Sequence, residues 1–504
     1  MDGPALTPLG VAFDRLAARD PSAPAITFDG TAHSREDLAR RSNALAHRLS
    51  SFGVQEGSMV TIALPNGARF YEATLAAWKL GAVPQPVSYR LPPAEMAALI
   101  EVADPAAVVG LDPGDGRPWL PRDDLLDGAG AGPLKPAVPP TWKAMTSGGS
   151  TGRPKLIVTT TAGVVEHVTA AAPMLRIAER ETFLCTGPLY HNGPFLFSMT
   201  SLLLGGHIVV MGRFDAARSL ELVERYRVTY MYLVPTMMSR ILRLPDDERL
   251  ARDMSSLRTA YHLAAPCPPH VKQAWIDWLG PEAIVELYAG TEGQAVTVIS
   301  GSEWLAHPGS VGRVVSGEMR VTGPAGEVLP AGDVGEVWMR PPPDRVTYRY
   351  VGAAAIERDG WESLGDMGWF DEEGYLYLAD RQTDMILVGG ANVYPAEVEA
   401  ALDSHPAVLS SCVIGMPDDD YGNVVHAIVE TSSDVPDAEL RAFLAGQLSS
   451  YKLPRTFERS TTPLRDDAGK VRRSALREAR VAAMRSRLAA CDAGTPRTGT
   501  AGRR

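Results

Sequence analysis

The chain is short of lysine. Of 49 basic residues only seven are lysine (Lys79, Lys135, Lys143, Lys155, Lys272, Lys452 and Lys470), and the rest are arginine. Heavy use of Ala, Arg, Gly and Pro points to a GC-rich genome that writes arginine wherever either cation will serve. The retained lysines therefore draw attention, since a compact ammonium and a planar guanidinium are not interchangeable, although some of the seven will be accidents of composition. Cysteine is scarce too: Cys185, Cys267, Cys412 and Cys491 lie scattered, with no metal-ligand spacing. That excludes a disulfide framework or a cysteine zinc site and fits a reducing cytoplasm. Positive charge is outweighed, 49 basic against 60 acidic residues for a net −11, which argues against nucleic acid or an anionic membrane as the main partner. A local basic site for a polyphosphate stays open. Long hydrophobic runs are lacking as well. The most apolar stretch, Phe195 to Met211, is broken by Gly205, Gly206 and His207 and reads as a buried helix followed by a strand, with no membrane span. The opening "MDGPALTPLG" has neither a basic start nor an apolar run, so no secretory leader is expected.

What is present is an ordinary globular composition, 45% hydrophobic and 22% charged. A length of 504 residues exceeds what one core usually holds, so at least two domains are expected. Ser34 is a candidate N-cap, with Glu36 and Asp37 in the first turn and Leu38, Leu45 and Leu49 forming one apolar stripe that ends at Gly53. "SMVTIALP" reads as a buried strand, "ARFYEATLAAWKL" as a helix stopped by Gly81, and "AVPQPVS" as another strand. Strand, helix and strand at this spacing imply parallel sheet and an α/β fold. Leu220 to Tyr226 followed by "VTYMYLV" repeats the pattern, and Gly309 to Arg340 reads as a β-rich subdomain.

A second, small α+β unit is expected from Arg381. Its signs are the helix "PAEVEAALDSHPAV" with Pro395 in the first turn, strands near Ser410 to Gly415 and Val424 to Glu430, and a helix from Asp437. The expected division is 1–380, 381–484 and a disordered tail over 485–504, where little is available to bury. No internal repeats are evident.

The strongest local signal is "TSGGSTGRPKLIV", Thr146 to Val158. Thr146, Ser147, Gly148, Gly149, Ser150, Thr151 and Gly152 let a backbone approach an anion closely and ring it with hydroxyl donors, and Lys155 adds a point charge. The nucleotide-binding P-loop is excluded, since it needs Gly-Lys-Ser/Thr before a helix. A flexible linker is the bland alternative, and the apolar strand that follows weighs against it.

This segment resembles the phosphate-binding signature of the superfamily of acyl-CoA synthetases, peptide-synthetase adenylation domains and beetle luciferases. The other signatures follow in order: "YAGTEG" (Tyr288 to Gly293), "LGDMGWFDEEGYLYLADRQTDMILVGGANVYPAEVE" (Leu364 to Glu399) and "PLRDDAGKVRR" (Pro463 to Arg473). The resemblance spans about residues 10 to 480. It implies a large N-terminal domain of layered sheets and helices, a small mobile C-terminal domain, and adenylation of a carboxylic acid by ATP with Mg2+.

The same resemblance implies the roles of single residues. Glu292 would hold Mg2+ and is expected to stand otherwise unpaired, Thr291 would face the phosphates, and Tyr288 would face the adenine with Ala289 and Gly290 beside it. Ala264, Ala265 and Pro266 would line the adenine pocket. Asp366 would accept from the ribose hydroxyls, and Arg381 would also contact the nucleotide. Lys470 would meet the carboxylate and α-phosphate oxygens during adenylation, where in-line attack gathers negative charge that a placed ammonium stabilises.

"PLYHNGPFLFSM" resembles the bile-acid and fatty-acid CoA ligase branch, so His191, Asn192 and Phe195 would border the acyl pocket and His191 would stand near the chemistry. Met199, Met231, Met237 and Met238 read equally as a soft pocket wall or as core. The expected substrate is a bulky, largely apolar acid, such as a bile-acid, sterol-derived or terpenoid carboxylate. An antibiotic-pathway enzyme for a diterpenoid acid is the narrowest form of that expectation.

Coenzyme A is implied as co-substrate, with Gly389 and Gly390 where pantetheine passes close to the backbone. Two positions depart from the family pattern. Thr383 replaces the usual Asp or Lys of the hinge, and Ala289 replaces a frequent Gly at the pocket floor. The hinge departure leaves open an enzyme that only adenylates and hands acyl-AMP to a carrier protein or separate transferase. A catalytically inactive nucleotide- or acyl-binding homologue is the reading from another class. The intact set Lys155, Glu292, Asp366, Arg381 and Lys470 weighs against it. A homodimer is a common state among relatives.

Overall fold

The computed structural model describes residues 6–123, 130–147, 154–381, 383–418, 420–466 and 469–493. The chain forms two compact units. The first runs through Leu364 with Trp369–Tyr377, and the second comprises Leu378–Asp466 with Gly365–Gly368 and the described residues from Lys470 to Ala493.

The first unit begins as the hydropathy pattern requires. Ser34 caps the helix Arg35–Ser51, its hydroxyl accepting the Asp37 amide at 3.0 Å, and Leu38, Leu45 and Leu49 are buried on one face. Strand Met59–Ile62, helix Ala68–Lys79 and strand Val83–Pro86 build a parallel unit. The helix is buried on every side because sheet and helices enclose it, so its hydrophobic residues run all round rather than in a stripe.

Two sheets carry the candidate site. One is a three-stranded antiparallel sheet containing β1 (Ala144–Ser147) and β2 (Lys155–Thr159). In the other, parallel strands run in the spatial order Ile284–Ala289, Thr259–His262, Tyr230–Leu233, Thr182–Cys185, His207–Val210 and Pro24–Phe28. We name those used below β3 (Thr182–Cys185), β4 (His207–Val210), β5 (Tyr230–Leu233), β6 (Thr259–His262) and β7 (Ile284–Ala289), with helix α1 (Asn192–Leu203) between β3 and β4. Strand β8 (Tyr348–Val351) completes the antiparallel sheet by pairing with β2. The apolar run from Phe195 to Met211 is thus a buried helix and a strand, and the described residues hold no helix long and apolar enough to cross a membrane. Between Gly309 and Arg340 the chain forms Ser310–Ser316, Glu318–Thr322 and Gly335–Arg340, the β-rich stretch its glycines and prolines predict.

The second unit pairs Val408–Asp418 with Gly422–Thr431 and adds Thr456–Arg459. Helices Pro395–Asp403, Asp437–Ala445 and Arg473–Ala493 accompany them. Arg473 fastens the last helix, binding Asp384 at 2.9 Å, Glu399 at 2.5 Å and the Val413 carbonyl at 3.1 Å. This helix corrects the expected tail: residues 485–493 are helical where a structureless segment was expected. Composition explains the difference, because "RVAAMRSRLAA" is poor in buried groups but rich in Ala, Arg, Leu and Met, the best helix formers. Residues 494–504 lie outside the described residues.

Candidate active site

Parallel strands end with their last residues on one edge, and loops leaving that edge are where α/β proteins place their ligands. Three of the predicted segments lie there. From β3 the chain turns through Gly187 and Leu189 to His191. From β6 it enters Leu263 to Pro268, and from β7 it passes Tyr288 and Ala289 into Gly290, Thr291 and Glu292.

Asn66, which the sequence analysis did not single out, ties the first of these loops. Its carboxamide donates to the carbonyls of Gly187 and Met211, both at 2.9 Å, and accepts the Leu189 amide at 2.8 Å. One buried side chain thereby satisfies three backbone groups that would otherwise be costly to bury. The motif "LPNG" was the available signal.

The β6 loop carries backbone strain. Ala264 has φ +80, in the left-handed region that residues with a Cβ seldom adopt. Ala264 and Pro266 are exposed and Ala265 is half-buried. Beneath the loop, Lys272 and Glu286 form a buried ion pair at 2.6 Å. Burial raises the Glu286 carboxyl while the lysine opposes it. His262, opposite Glu286 in the sheet, is held neutral by burial and by Lys272.

At the end of β7 the structure assembles a cluster that sequence only half predicts. Glu292 is buried, and the expectation that it stands unpaired is corrected: Tyr350 on β8 donates its hydroxyl to Glu292 at 2.5 Å. The Nζ of Lys155 sits 4.0 Å from the centroid of the same tyrosine ring. Burial raises the Tyr350 hydroxyl above its usual range and Glu292 raises it further, which keeps it a donor. A Cβ at Gly290 would come 2.5 Å from a Leu364 methyl and 2.8 Å from the Glu292 carboxylate, so a larger residue there would have to displace both side chains. Tyr350 was missed because nothing in "TYRYVG" distinguishes it. Its role arises from the β2–β8 pairing, in which Tyr350 sits opposite Ile157, two residues from Lys155.

Thr146 lies in β1 with its hydroxyl accepting from Gln85 at 3.1 Å, and Gln85 in turn accepts from Thr61 at 2.6 Å. Ser147 is the last residue of that strand. Gly148, Gly149, Ser150, Thr151 and Gly152 lie outside the described residues.

His191 caps α1 and Asn192 opens it, both half-buried. Phe195 is fully buried, its ring 5.7 Å from Trp142, 6.3 Å from Phe70 and 6.5 Å from Trp78. Met199, Met231, Met237 and Met238 all belong to the main core, which favours the packing alternative for them.

In the second unit Asp366 and Arg381 form an ion pair at 3.3 Å, with the carboxylate the more buried partner. Thr383 is exposed in a turn where the amides of Asp384 and Met385 return to the Arg381 carbonyl. Gly389 (φ +55) and Gly390 (φ +89) form the two-residue link of the hairpin Ile386–Val388/Ala391–Val393, a turn that needs left-handed backbone at both positions. Lys470 is exposed. Its amide donates to the Asp466 carboxylate at 2.9 Å and its carbonyl accepts the Asp466 amide at 2.9 Å, which pins the turn behind it.

No three His, Cys, Asp or Glu side chains converge among the described residues, so an all-protein metal cage is not present among them. A single buried carboxylate fits Mg2+, which keeps water and substrate phosphate oxygens as its remaining ligands.

Residues 13–350 match the AMP-binding enzyme family and residues 397–464 match the AMP-binding enzyme C-terminal domain. The chain belongs to the AMP-binding, adenylate-forming enzyme family. It is an α/β enzyme of the AMP-forming acid–thiol ligase type. A feruloyl-CoA synthase from an Amycolatopsis species is 33% identical, covering 88% of this chain and 93% of that one. A fatty acid–[acyl-carrier-protein] ligase from Streptomyces coeruleorubidus is 29% identical over 92% and 94%. Among solved structures, the o-succinylbenzoate CoA synthetase of Bacillus subtilis in complex with its acyl-adenylate intermediate superposes with a TM-score of 0.81 at 25% identity, covering 94% and 98%. The same enzyme with ATP and magnesium ion gives 0.79 at 25% identity, covering 92% and 98%.

A first expected outcome concerns Tyr350. Tyr350→Phe removes the donor that orients Glu292 and keeps the ring over Lys155. It should raise the Mg2+ concentration needed for half-maximal activity by roughly 10-fold, the scale on which partners of metal-binding groups act. Titrating activity against Mg2+ at fixed ATP reads this directly. An unchanged midpoint would show that the bond does not orient the carboxylate.

Proposed function

We propose that this chain activates a bulky, largely apolar carboxylic acid with MgATP and passes the acyl group to coenzyme A. A carboxylate oxygen of the acid attacks the α-phosphorus, the bond to the bridging oxygen breaks, and pyrophosphate leaves. The thiol sulfur of coenzyme A then attacks the acyl carbonyl, AMP leaves, and the thiol proton is released. The observation carrying this reading is the cluster of Glu292, Tyr350 and Lys155 beside Thr291, on the edge to which the parallel strands deliver the nucleotide motifs.

The residues are assigned as follows. Thr146 to Gly152 and Lys155 receive the phosphates, and Glu292 holds Mg2+, which when bound neutralises phosphate oxygens. Thr291 faces the phosphate end. Tyr288, Ala289 and Gly290, with Ala264, Ala265 and Pro266, receive the adenine. Asp366 accepts from the ribose hydroxyls and Arg381 aligns that carboxylate. Lys470 stabilises charge at the α-phosphate. His191, Asn192 and Ala289 border the acyl group, and Phe195 shapes that border from within the core. Gly389 and Gly390 admit pantetheine past the backbone. Units 1–380 and 381–484 turn about Thr383 between the half-reactions.

A terpenoid or similarly bulky acid remains the proposed substrate class, and the cytoplasm, which supplies ATP and coenzyme A, the proposed location. A homodimer is the proposed assembly, which sedimentation would test. Incubating the protein with ATP, Mg2+, coenzyme A and a panel of bulky acids, and following AMP release, tests the reading. Acid-independent AMP release, or none with any acid, would contradict it. Transfer to a carrier protein is the second reading, favoured by the likeness to an acyl-carrier-protein ligase.

The hinge yields an expected result that separates the two steps. Thr383→Pro fixes φ near −65° and restricts rotation there. Acyl-AMP formation should persist while its conversion to acyl-CoA slows by about 10-fold or more, about 1.4 kcal/mol of barrier. Equal slowing of both steps would place Thr383 outside any hinge.

A further inference from the structure

Three lysines are buried, and they are not alike. Lys79 (4% exposed) reaches Asp14 at 2.6 Å, and Lys272 (0%) reaches Glu286 at 2.6 Å. Lys143 (3% exposed) has no carboxylate within ion-pair distance among the described residues. Its ammonium donates to the Asn192 carboxamide and lies 4.5 Å from the centroid of the Trp142 ring.

An ammonium carries three donors, and taking it from water without a counter-charge is expensive. The surroundings also hold it in place. The Lys143 carbonyl accepts from the hydroxyls of Thr141 and Thr159 at 3.1 and 3.3 Å, and the Trp142 carbonyl accepts from the Trp78 indole at 2.8 Å. Its acceptor, Asn192, is the first residue of α1, the end of a helix that carries partial positive charge. Cation and helix terminus thus stand together with nothing negative beside them among the described residues. Asn192 is only half-buried, so an incoming group can share or displace its carboxamide.

We propose that Lys143 is a specificity-determining residue, its ammonium and the start of α1 together receiving a second anionic group that the acyl substrate carries besides its reacting carboxylate. A dicarboxylic acid, or an acid bearing an acidic phenol, is the class this selects, and a neutral hydroxyl would be held more weakly. The inference rests on the proposal that His191 and Asn192 border the acyl pocket.

Calorimetric binding without ATP tests it on the full-length protein, using adamantane-1-carboxylic acid, 3-hydroxyadamantane-1-carboxylic acid and adamantane-1,3-dicarboxylic acid as probes. The diacid should bind about 10–100-fold more tightly than the monoacid, the range for a hydrogen bond to a charged group. In Lys143→Met that gap should close, with the hydroxy acid intermediate in the wild type. Lys143→Gln, which keeps a donor without charge, should retain part of the gap for the hydroxy acid only. Equal binding of monoacid and diacid by the wild type, or no measurable binding of the diacid, overturns the proposal. So does an equal loss for all three acids in Lys143→Met, which would assign the ammonium to the reacting carboxylate. Protein that shows the binding gap yet forms no adenylate would sink the synthetase reading and leave this one standing.

Discussion

Replacing Lys470 by alanine is expected to slow acyl-AMP formation by on the order of 10²–10³, the usual cost of removing one electrostatic stabiliser of a charged transition state. Turnover of supplied acyl-AMP with coenzyme A should be little affected, because that step develops its charge on an acyl carbonyl rather than on phosphorus. The turn that carries Lys470 is held by main-chain bonds to Asp466, so the substitution removes the ammonium and leaves those bonds in place. Single-turnover measurement of each half-reaction separates the two. Equal losses in both would make the lysine structural, and no loss in the first would remove it from the mechanism.

The second large effect is on stability. Burial pushes the Lys143 ammonium down to about 7 from its ordinary value of 10.5, and no neighbouring charge contributes. Between those two values the unfolded chain binds a proton that the folded chain refuses, so stability should rise with pH across that window. The destabilisation is complete below about pH 7 and relieved as pH approaches 10.5. Its full size is on the order of a few kcal/mol. Lys143→Met, similar in length and uncharged, should be more stable than the wild type at pH 6 and lose this slope. Denaturant unfolding of both proteins from pH 6 to pH 10 provides the comparison, and their difference cancels every other titrating group. Parallel stability profiles would mean that the fold holds the Lys143 ammonium protonated up to its ordinary value, its burial compensated.

These two lysines show what could be read from the sequence and what could not. Scarcity of lysine marked all seven positions as worth attention, and motif position separated Lys155 and Lys470 from the rest. Nothing local indicated that Lys79, Lys143 and Lys272 are buried, because burial depends on strands and helices distant in sequence. The partners Asp14, Asn192 and Glu286 lie 65, 49 and 14 residues away.

Elements whose causes are local were legible. The Ser34 cap, the stop near Gly53 and Pro395 in the first turn of its helix each follow from one residue's backbone or capping chemistry. The motif "YAGTEG" indicated where Gly290 and Glu292 fall along the chain, but it did not show that Glu292 is buried and paired with Tyr350. Site geometry was hidden where sheet pairing supplies it. Tyr350 reaches Glu292 across 58 residues, and Asn66 reaches Gly187 and Met211 across 121 and 145. The helix past Arg485 was hidden for a different reason. The expected tail was inferred from a lack of buried surface, whereas intrinsic propensity and the anchor at Arg473 continue the helix.

The most direct test of the account is exchange of labelled pyrophosphate into ATP, with Mg2+ and a bulky carboxylic acid present and coenzyme A absent. Reversible acyl-AMP formation predicts exchange that requires the acid, requires Mg2+, and falls by on the order of 10²–10³ in Lys470→Ala. Binding of acid and ATP by the wild-type protein with no exchange under these conditions would contradict adenylation as its chemistry.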